Sequence, residues 1–191
     1  MGKVIFDVSM SLDGFITGSN VRQEAGLGDD GERLHDWGLN STNPLNQELM
    51  TWYLTFGASI FGRTTYDLSI QYWGADGPTS AARIPVVVVS HSIPQDVPAG
   101  GVYTFVNGIE PAFEKAKSLA GDKDISISGA DVARQFLNLG LIDEISIHLV
   151  PVLFGSGTPL FGHLISKHIP LETIKVTETK EAIHLRYRIV K

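Results

Sequence analysis

Cysteine is absent from all 191 residues. That excludes a disulfide framework, a thiolate zinc site, an iron–sulfur cluster and a cysteine nucleophile. It also fits a reducing compartment, and a cytoplasmic location is expected. Basic residues are scarce: 15 against 21 acidic ones, for a net charge of −6. A negative surface with no basic block disfavours nucleic acid as a partner. Long apolar runs are missing too. The longest, Val86–Val89, is far short of the roughly 20 residues that a membrane helix needs. No basic head and apolar stretch mark a secretory signal at the N-terminus. Several motifs are also absent: G-x-x-x-x-G-K-[ST], G-x-G-x-x-G between a first strand and helix, H-E-x-x-H and G-x-S-x-G. The six histidines show no ligand spacing, so no metal site is expected. Gly28-Asp29-Asp30-Gly31-Glu32 lacks the alternation of a calcium loop and reads as a solvated loop tip.

What is present is a chain that is 43% hydrophobic, enough for a sizeable core in a single domain spanning 1–191. The pattern switches between strand and helix periods, which predicts an α/β domain. Val4–Met10 reads as a buried first strand. The polar stretch Gly18–Asn43 reads as a long loop with little regular structure. Pro44 opens a helix to about Phe56, with Leu45, Leu49, Trp52 and Tyr53 on one face. Strands are predicted at Ala58–Phe61, Pro85–Val89, Val102–Val106 and Asp124–Ser128. Helices are predicted after Gly62, over Pro111–Ala120 and after Gly129. In Ile145–Leu149 apolar residues alternate with Glu144, Ser146 and His148, which predicts a strand with one wetter face. His148 and His184 fall on polar strand faces and are candidate neighbours. A hairpin with its turn near Thr179-Lys180 closes the chain. The expected architecture is a mixed, mostly parallel sheet with an antiparallel C-terminal edge and flanking helices.

Two segments pair a strand end with a glycine that opens a helix: Phe61-Gly62-Arg63-Thr64-Thr65 and Ser128-Gly129-Ala130-Asp131. Free N–H groups at a helix start attract anions, and glycine permits close approach. Each alone is also an ordinary strand-to-helix turn; together they suit a ligand with two phosphates. Ser90-His91-Ser92 follows the valine strand, at the end where α/β sheets bind ligands, and reads equally as a polar loop entry.

These segments together resemble the dihydrofolate-reductase-like superfamily. The branch most similar contains the C-terminal reductase domain of bifunctional riboflavin-biosynthesis enzymes. The resemblance rests on five blocks in order: Met10–Gly18, Phe61–Asp67, Ser128–Ala130, Gly140–Glu144 and Pro151–Phe161. The stretch Gly26–Trp37 also resembles a subgroup of uncharacterised reductase-like proteins. The resemblance implies a three-layer dihydrofolate-reductase-like fold and NADPH as cofactor, with NADH as the alternative. It implies that Ile16, Thr17 and Gly18 lie by the nicotinamide and its ribose. Gly62, Arg63, Thr64 and Thr65 would hold the pyrophosphate, and Ser90, His91 and Ser92 the adenosine ribose and 2′-phosphate. Gly129, Ala130, Asp131 and Val132 would close the other side. The family often has arginine at the position of His91, and a second glycine at that of Ala130. Alanine there weakens binding if the position requires positive φ.

The implied reaction is hydride transfer to a C=N or C=O carbon of a small polar or heterocyclic substrate. Asp13, Asp36 and Glu48 are the candidate proton sources; Asp13 reads equally as a turn-fixing residue. His35, Trp37, Phe154 and Gly155 are candidate substrate contacts, with the long loop as a lid. A homodimer is expected by the same resemblance. Without cysteine, the sequence reads as a stand-alone reductase that lacks the zinc deaminase half of the bifunctional enzymes. The alternative is a nucleotide- or ligand-binding protein on the same fold without turnover.

Overall fold

In the computed structural model, residues 2–162 and 168–191 are described. Eight strands form one sheet in the order β4-β3-β2-β5-β1-β6-β8-β7. They are β1 Val4–Ser11, β2 Ala58–Gly62, β3 Val86–Val89, β4 Tyr103–Val106, β5 Ile125–Ser128, β6 Glu144–Val150, β7 Leu171–Glu178 and β8 Ile183–Ile189. The first six run parallel, while β8 pairs antiparallel with β6 and β7 antiparallel with β8. The helices are α1 Asp36–Leu39, α2 Pro44–Tyr53, α3 Arg63–Trp73, α4 Ile109–Ala120 and α5 Ala130–Asn138. The parallel sheet with an antiparallel edge is the architecture that the sequence pattern predicts.

One face of the sheet is apolar. Phe6, Val8 and Met10 on β1 meet Ile60, Ile127, Ile145 and Ile147, and α4 and α5 cover them with Ala112, Ala116, Val132, Ala133 and Phe136. Removing each such large side chain from water contributes about 1.5–3 kcal/mol. Helix α5 follows directly from Gly129, whose φ of +94° suits a residue without Cβ.

The opposite face is apolar over β2 and β3, where Phe61, Val86 and Val88 pack, but polar and also buried around β1, β5, β6 and β8. It carries Ser11, Ser59, Ser126, Glu144, Ser146, His148 and His184. This corrects the expected wetter face of β6: the alternation is real, but Glu144, Ser146 and His148 lie beneath other chain, shut from solvent. Lys3 and Arg186 each reach Glu144 with an ion pair, at 2.6 and 2.7 Å. Burial alone would raise the Glu144 pKa, but the bonds from these two cations outweigh it and hold the carboxyl below its ordinary range.

The stretch Gly18–Asn43 has more structure than expected. It contains a 3-10 turn at Gly31–His35 followed by α1. The segment is tied to itself by Gly18 N–H to Leu27 O and Asp29 N–H to Ser19 O. Leu34 and Trp37 anchor it in a small core with Val150, Ala182, Leu49 and Phe154. Two helix bounds also differ. Helix α2 ends at Tyr53, and α4 starts at Ile109, which puts Pro111 inside the first turn, where no N–H partner is lost. On α2, Leu45 is exposed while Asn46 is fully buried, because the sheet face beneath it is polar.

Candidate functional site

Three strand ends lie side by side in the order β3, β2, β5, with β1 next. All four strands are parallel, so the segments that follow them gather along one edge. Ser90–Ser92 follows β3, Gly62–Thr65 joins β2 to α3, Gly129–Val132 joins β5 to α5, and Ile16–Gly18 lies just past β1. The structure therefore places all four predicted segments together.

Arg63 ties the first two. Its Nε donates to both Asp67 carboxylate oxygens at 2.7 and 2.8 Å. Its Nη1 donates to Ser90 Oγ, Ser92 O and Ser92 Oγ at 3.2–3.3 Å. Gly62 and Gly129 lean into the same seam. A Cβ on Gly62 would meet Val132 Cγ2 at 3.0 Å, and one on Gly129 would meet Thr65 Oγ1 at 3.0 Å. Neither α3 nor α5 has a side-chain cap at its N-terminus, so each presents uncapped first-turn N–H groups and the positive end of its dipole. That donor set fits a ligand with two phosphates. Ala130 is the first residue of α5 and is not among the positive-φ residues; that conformation belongs to Gly129 alone. His91 and Thr64 are exposed, and Asp131 is exposed with partners Arg134 and Gln135.

Past β1, the chain is laced to the segment after β6. Ile16 N–H donates to Thr158 O and Leu160 N–H to Gly14 O. The Thr17 hydroxyl takes the Thr158 N–H at 2.9 Å and lies 3.0 Å from Thr158 Oγ1. Asp13 serves the same lacing. Its carboxylate accepts from Ser11 Oγ at 2.6 Å, from Phe154 N–H at 3.1 Å and from Gly155 N–H at 2.7 Å. The Ser11 hydroxyl, opposed by some desolvation and helped by the two backbone donors, lowers its pKa. These bonds suit the turn-fixing reading of Asp13. The other two candidate acids lie elsewhere. Asp36 is exposed at the start of α1 and accepts from Asn40 Nδ2. Glu48 is exposed on α2, at the rim of a cavity of about 150 Å³ also lined by Trp52, Lys175, His184 and Arg186.

His35 and Trp37 pack onto the polar sheet face. The indole N–H of Trp37 donates to Ser9 Oγ at 2.9 Å, and its ring lies 4.0 Å from that of His148 and 4.8 Å from that of His184. His148 and His184 are neighbours, as the strand pattern proposed, with Nδ1 atoms 2.8 Å apart. Burial, and then the nearby His148, lower the pKa of His35. Among the described residues no group of acids and histidines could hold a metal ion; His163 lies outside them. Asp7, Ser9 and Asn46 were missed as site residues. The alternation Asp7-x-Ser9-x-Ser11 in a strand read as wholly buried was the available signal.

The RibD C-terminal domain family model matches residues 2–185. Among curated proteins, the chain is 29% identical over 167 residues to the uncharacterized protein YyaP of Bacillus subtilis, covering 83% of this chain and 80% of that one. Among solved structures, it is similar to a Shewanella sp. PV-4 protein named for riboflavin biosynthesis, with TM-score 0.72, 26% identity and full coverage of both chains. It also matches Enterococcus faecalis dihydrofolate reductase, solved with NADP(H), at TM-score 0.62 and 14% identity, covering 100% of this chain and 98% of that one. The fold is thus dihydrofolate-reductase-like, and the chain belongs to the RibD C-terminal domain family.

Proposed function

We propose, from membership of the RibD C-terminal domain family, that this chain is an NADPH-dependent reductase of a small polar or heterocyclic substrate. The observation that carries the reading is the seam of two uncapped helix N-termini at adjacent parallel strand ends, with Arg63 at the start of the first, held by Asp67, Ser90 and Ser92. Gly62, Arg63, Thr64 and Thr65 would bind the pyrophosphate from one side, and Gly129, Ala130, Asp131 and Val132 from the other. Ser90, His91 and Ser92 would meet the adenosine ribose, and Ile16, Thr17 and Gly18 the nicotinamide end. The cofactor would supply hydride; the chain supplies orientation, protons and exclusion of water. The buried polar sheet face beneath Trp37 and α2, with the Glu48 cavity beside it, is the proposed substrate side. Asp36, His35, Phe154 and Gly155 border that side as further candidates.

Titration with NADPH and NADH tests the reading, and no binding of either at millimolar concentration overturns it. Arg63→Ala is expected to weaken NADPH about tenfold or more, since one hydrogen bond to a charged group contributes ~1.5–3 kcal/mol. Unchanged affinity in a folded variant would remove Arg63 from the site. Wild-type NADPH oxidation is then screened against dihydrofolate and ribosylaminopyrimidine substrates.

We also propose a homodimer through the β7–β8 edge. Leu171, Ile174, Val176 and Ile183 are there 40–57% exposed, on an edge that is otherwise open to pairing. Light scattering on a sizing column is expected to give twice the chain mass; a monomer at 100 µM, a concentration on the order of those where weak interfaces form, contradicts it.

A further inference from the structure

Asp7, His148, His184 and Asn46 form one row across β1, β6, β8 and α2, on the polar face of the sheet. His148 Nε2 lies 3.3 Å from Asp7 Oδ2. The two Nδ1 atoms of His148 and His184 are 2.8 Å apart, and His184 Nε2 is 2.9 Å from Asn46 Oδ1. Both imidazoles are buried, at 3% and 5% exposure.

The proton positions follow from the Asn46 end. Its amide nitrogen donates to Ser41 Oγ at 2.9 Å and to Glu181 Oε2 at 3.3 Å. A carboxylate only accepts, so the amide oxygen faces His184. His184 must therefore carry a proton on Nε2. The contact between the Nδ1 atoms needs a second proton. A third is needed between His148 Nε2 and Asp7 Oδ2, because otherwise two lone pairs would face each other. Asp7 Oδ2 is shut from water and makes no formed hydrogen bond among the described residues; His148 Nε2, at 3.3 Å, is the ring nitrogen near enough to supply one after a small shift, and leaving the oxygen unsatisfied is costly. Two neutral rings supply only two protons, and the row holds three.

The surroundings decide where the extra charge sits. Burial, then the charge of His148, pull the His184 pKa down to about 4, so His184 stays neutral. Burial and then His148 lower the pKa of His35, in the turn before α1. Tyr53, on α2, faces Asp7 and is pushed up by burial. Among the described residues, the carboxylate of Asp7 is the acidic partner beside His148. Trp37 lies over both rings.

We propose that Asp7 and His148 share one stored proton at neutral pH and serve as the acid of the sheet-face site, a role that rests on the reductase reading above. The stored proton goes to the heteroatom of the C=N or C=O group, and the electron pair reaches the carbon with the hydride. His148 is left neutral beside an ionised Asp7, and the pair takes back a proton from water. Asn46 and His184 are positioning residues that set which ring nitrogen is protonated.

Nitrogen-15 NMR of histidine-labelled protein tests the proton without substrate or cofactor. At pH 7, His148 is expected to show two protonated nitrogens and His184 a neutral Nε2–H ring. In Asp7→Asn, His148 is expected to lose its charge at a pH lower by about one unit or more, as removal of a neighbouring opposite charge predicts. A neutral His148 beside an ionised Asp7 in the wild type overturns the proposal, as does an unchanged His148 titration in the variant. Once wild-type turnover is measured, Asp7→Asn is expected to lose about 100-fold or more in kcat with NADPH affinity unchanged and the acid limb of the pH profile gone. A kcat within threefold of wild type, a margin of about 0.65 kcal/mol, overturns the acid role. Absence of NADPH binding in the wild type strikes the reductase reading and the acid role with it, while the NMR result still decides the stored proton.

Discussion

Trp37→Ala is expected to destabilise the protein by ~3–5 kcal/mol, the range for truncating a large buried aromatic. Trp37 is 7% exposed and packs with Leu34, Val150 and Ala182. It also covers the rings of His148 and His184 and donates to Ser9. Alanine removes the ring contacts and opens the buried imidazole row to water. It also removes the main anchor of the Gly18–Asn43 segment, whose own hydrogen bonds are mostly local. For a chain of this size the midpoint of thermal unfolding should fall by roughly 6–20 °C. Denaturant unfolding checks the free energy directly. A loss below about 1 kcal/mol, typical of surface substitutions, would mean that the segment contributes little to the native state and acts as a loosely held lid.

Gly157→Ala is the second large effect, and it links stability to the proposed cofactor edge. Gly157 has φ of +146°, and an added Cβ would lie 2.0 Å from Thr17 O and 3.1 Å from Gly18 O. Those atoms are backbone and belong to the strip that holds Ile16–Gly18 against Thr158. No rotamer relieves such a clash, so one strand of the strip must move. Backbone strain and overpacking each cost ~1–3 kcal/mol, and both apply here. The expected sum is about 3 kcal/mol or more, with NADPH binding weakened by displacement of Ile16–Gly18. Denaturant unfolding and NADPH titration of the same sample check both halves. A variant with wild-type stability would show that the Gly155–Thr158 turn adapts freely.

Much of this protein was legible from patterns of a few residues. The valine run of β3 and the stripe of α4 announced their elements, because burial on both faces or on one stripe leaves a direct mark on sequence. The glycines before α3 and α5 marked the two helix starts in the same way. The Glu144-x-Ser146-x-His148 alternation marked a strand but misled about water. Period 2 reports which residues share a face; it does not report what covers that face. The cover is Trp37 and α2, and Trp37 is 111 positions before His148 in the chain. Sequence leaves Asp13 open between acid and anchor; the convergence of the Phe154 and Gly155 N–H groups on it, from 141 and 142 positions away, is visible only in the fold.

By itself the sequence determined the class of fold, the order of its elements and the seam of glycine-opened helices, because each is written in local periodicity and turn chemistry. The strand pattern offered His148 and His184 as candidate neighbours; tertiary structure alone decided that the polar part of the sheet face is sealed and that Asp7 lies beside His148. Those facts depend on side chains from four separate elements meeting across the sheet, and no local pattern encodes such a meeting. Cysteine's absence excluded thiol chemistry from the outset; the fold showed the buried imidazole row on which the proposed acid rests.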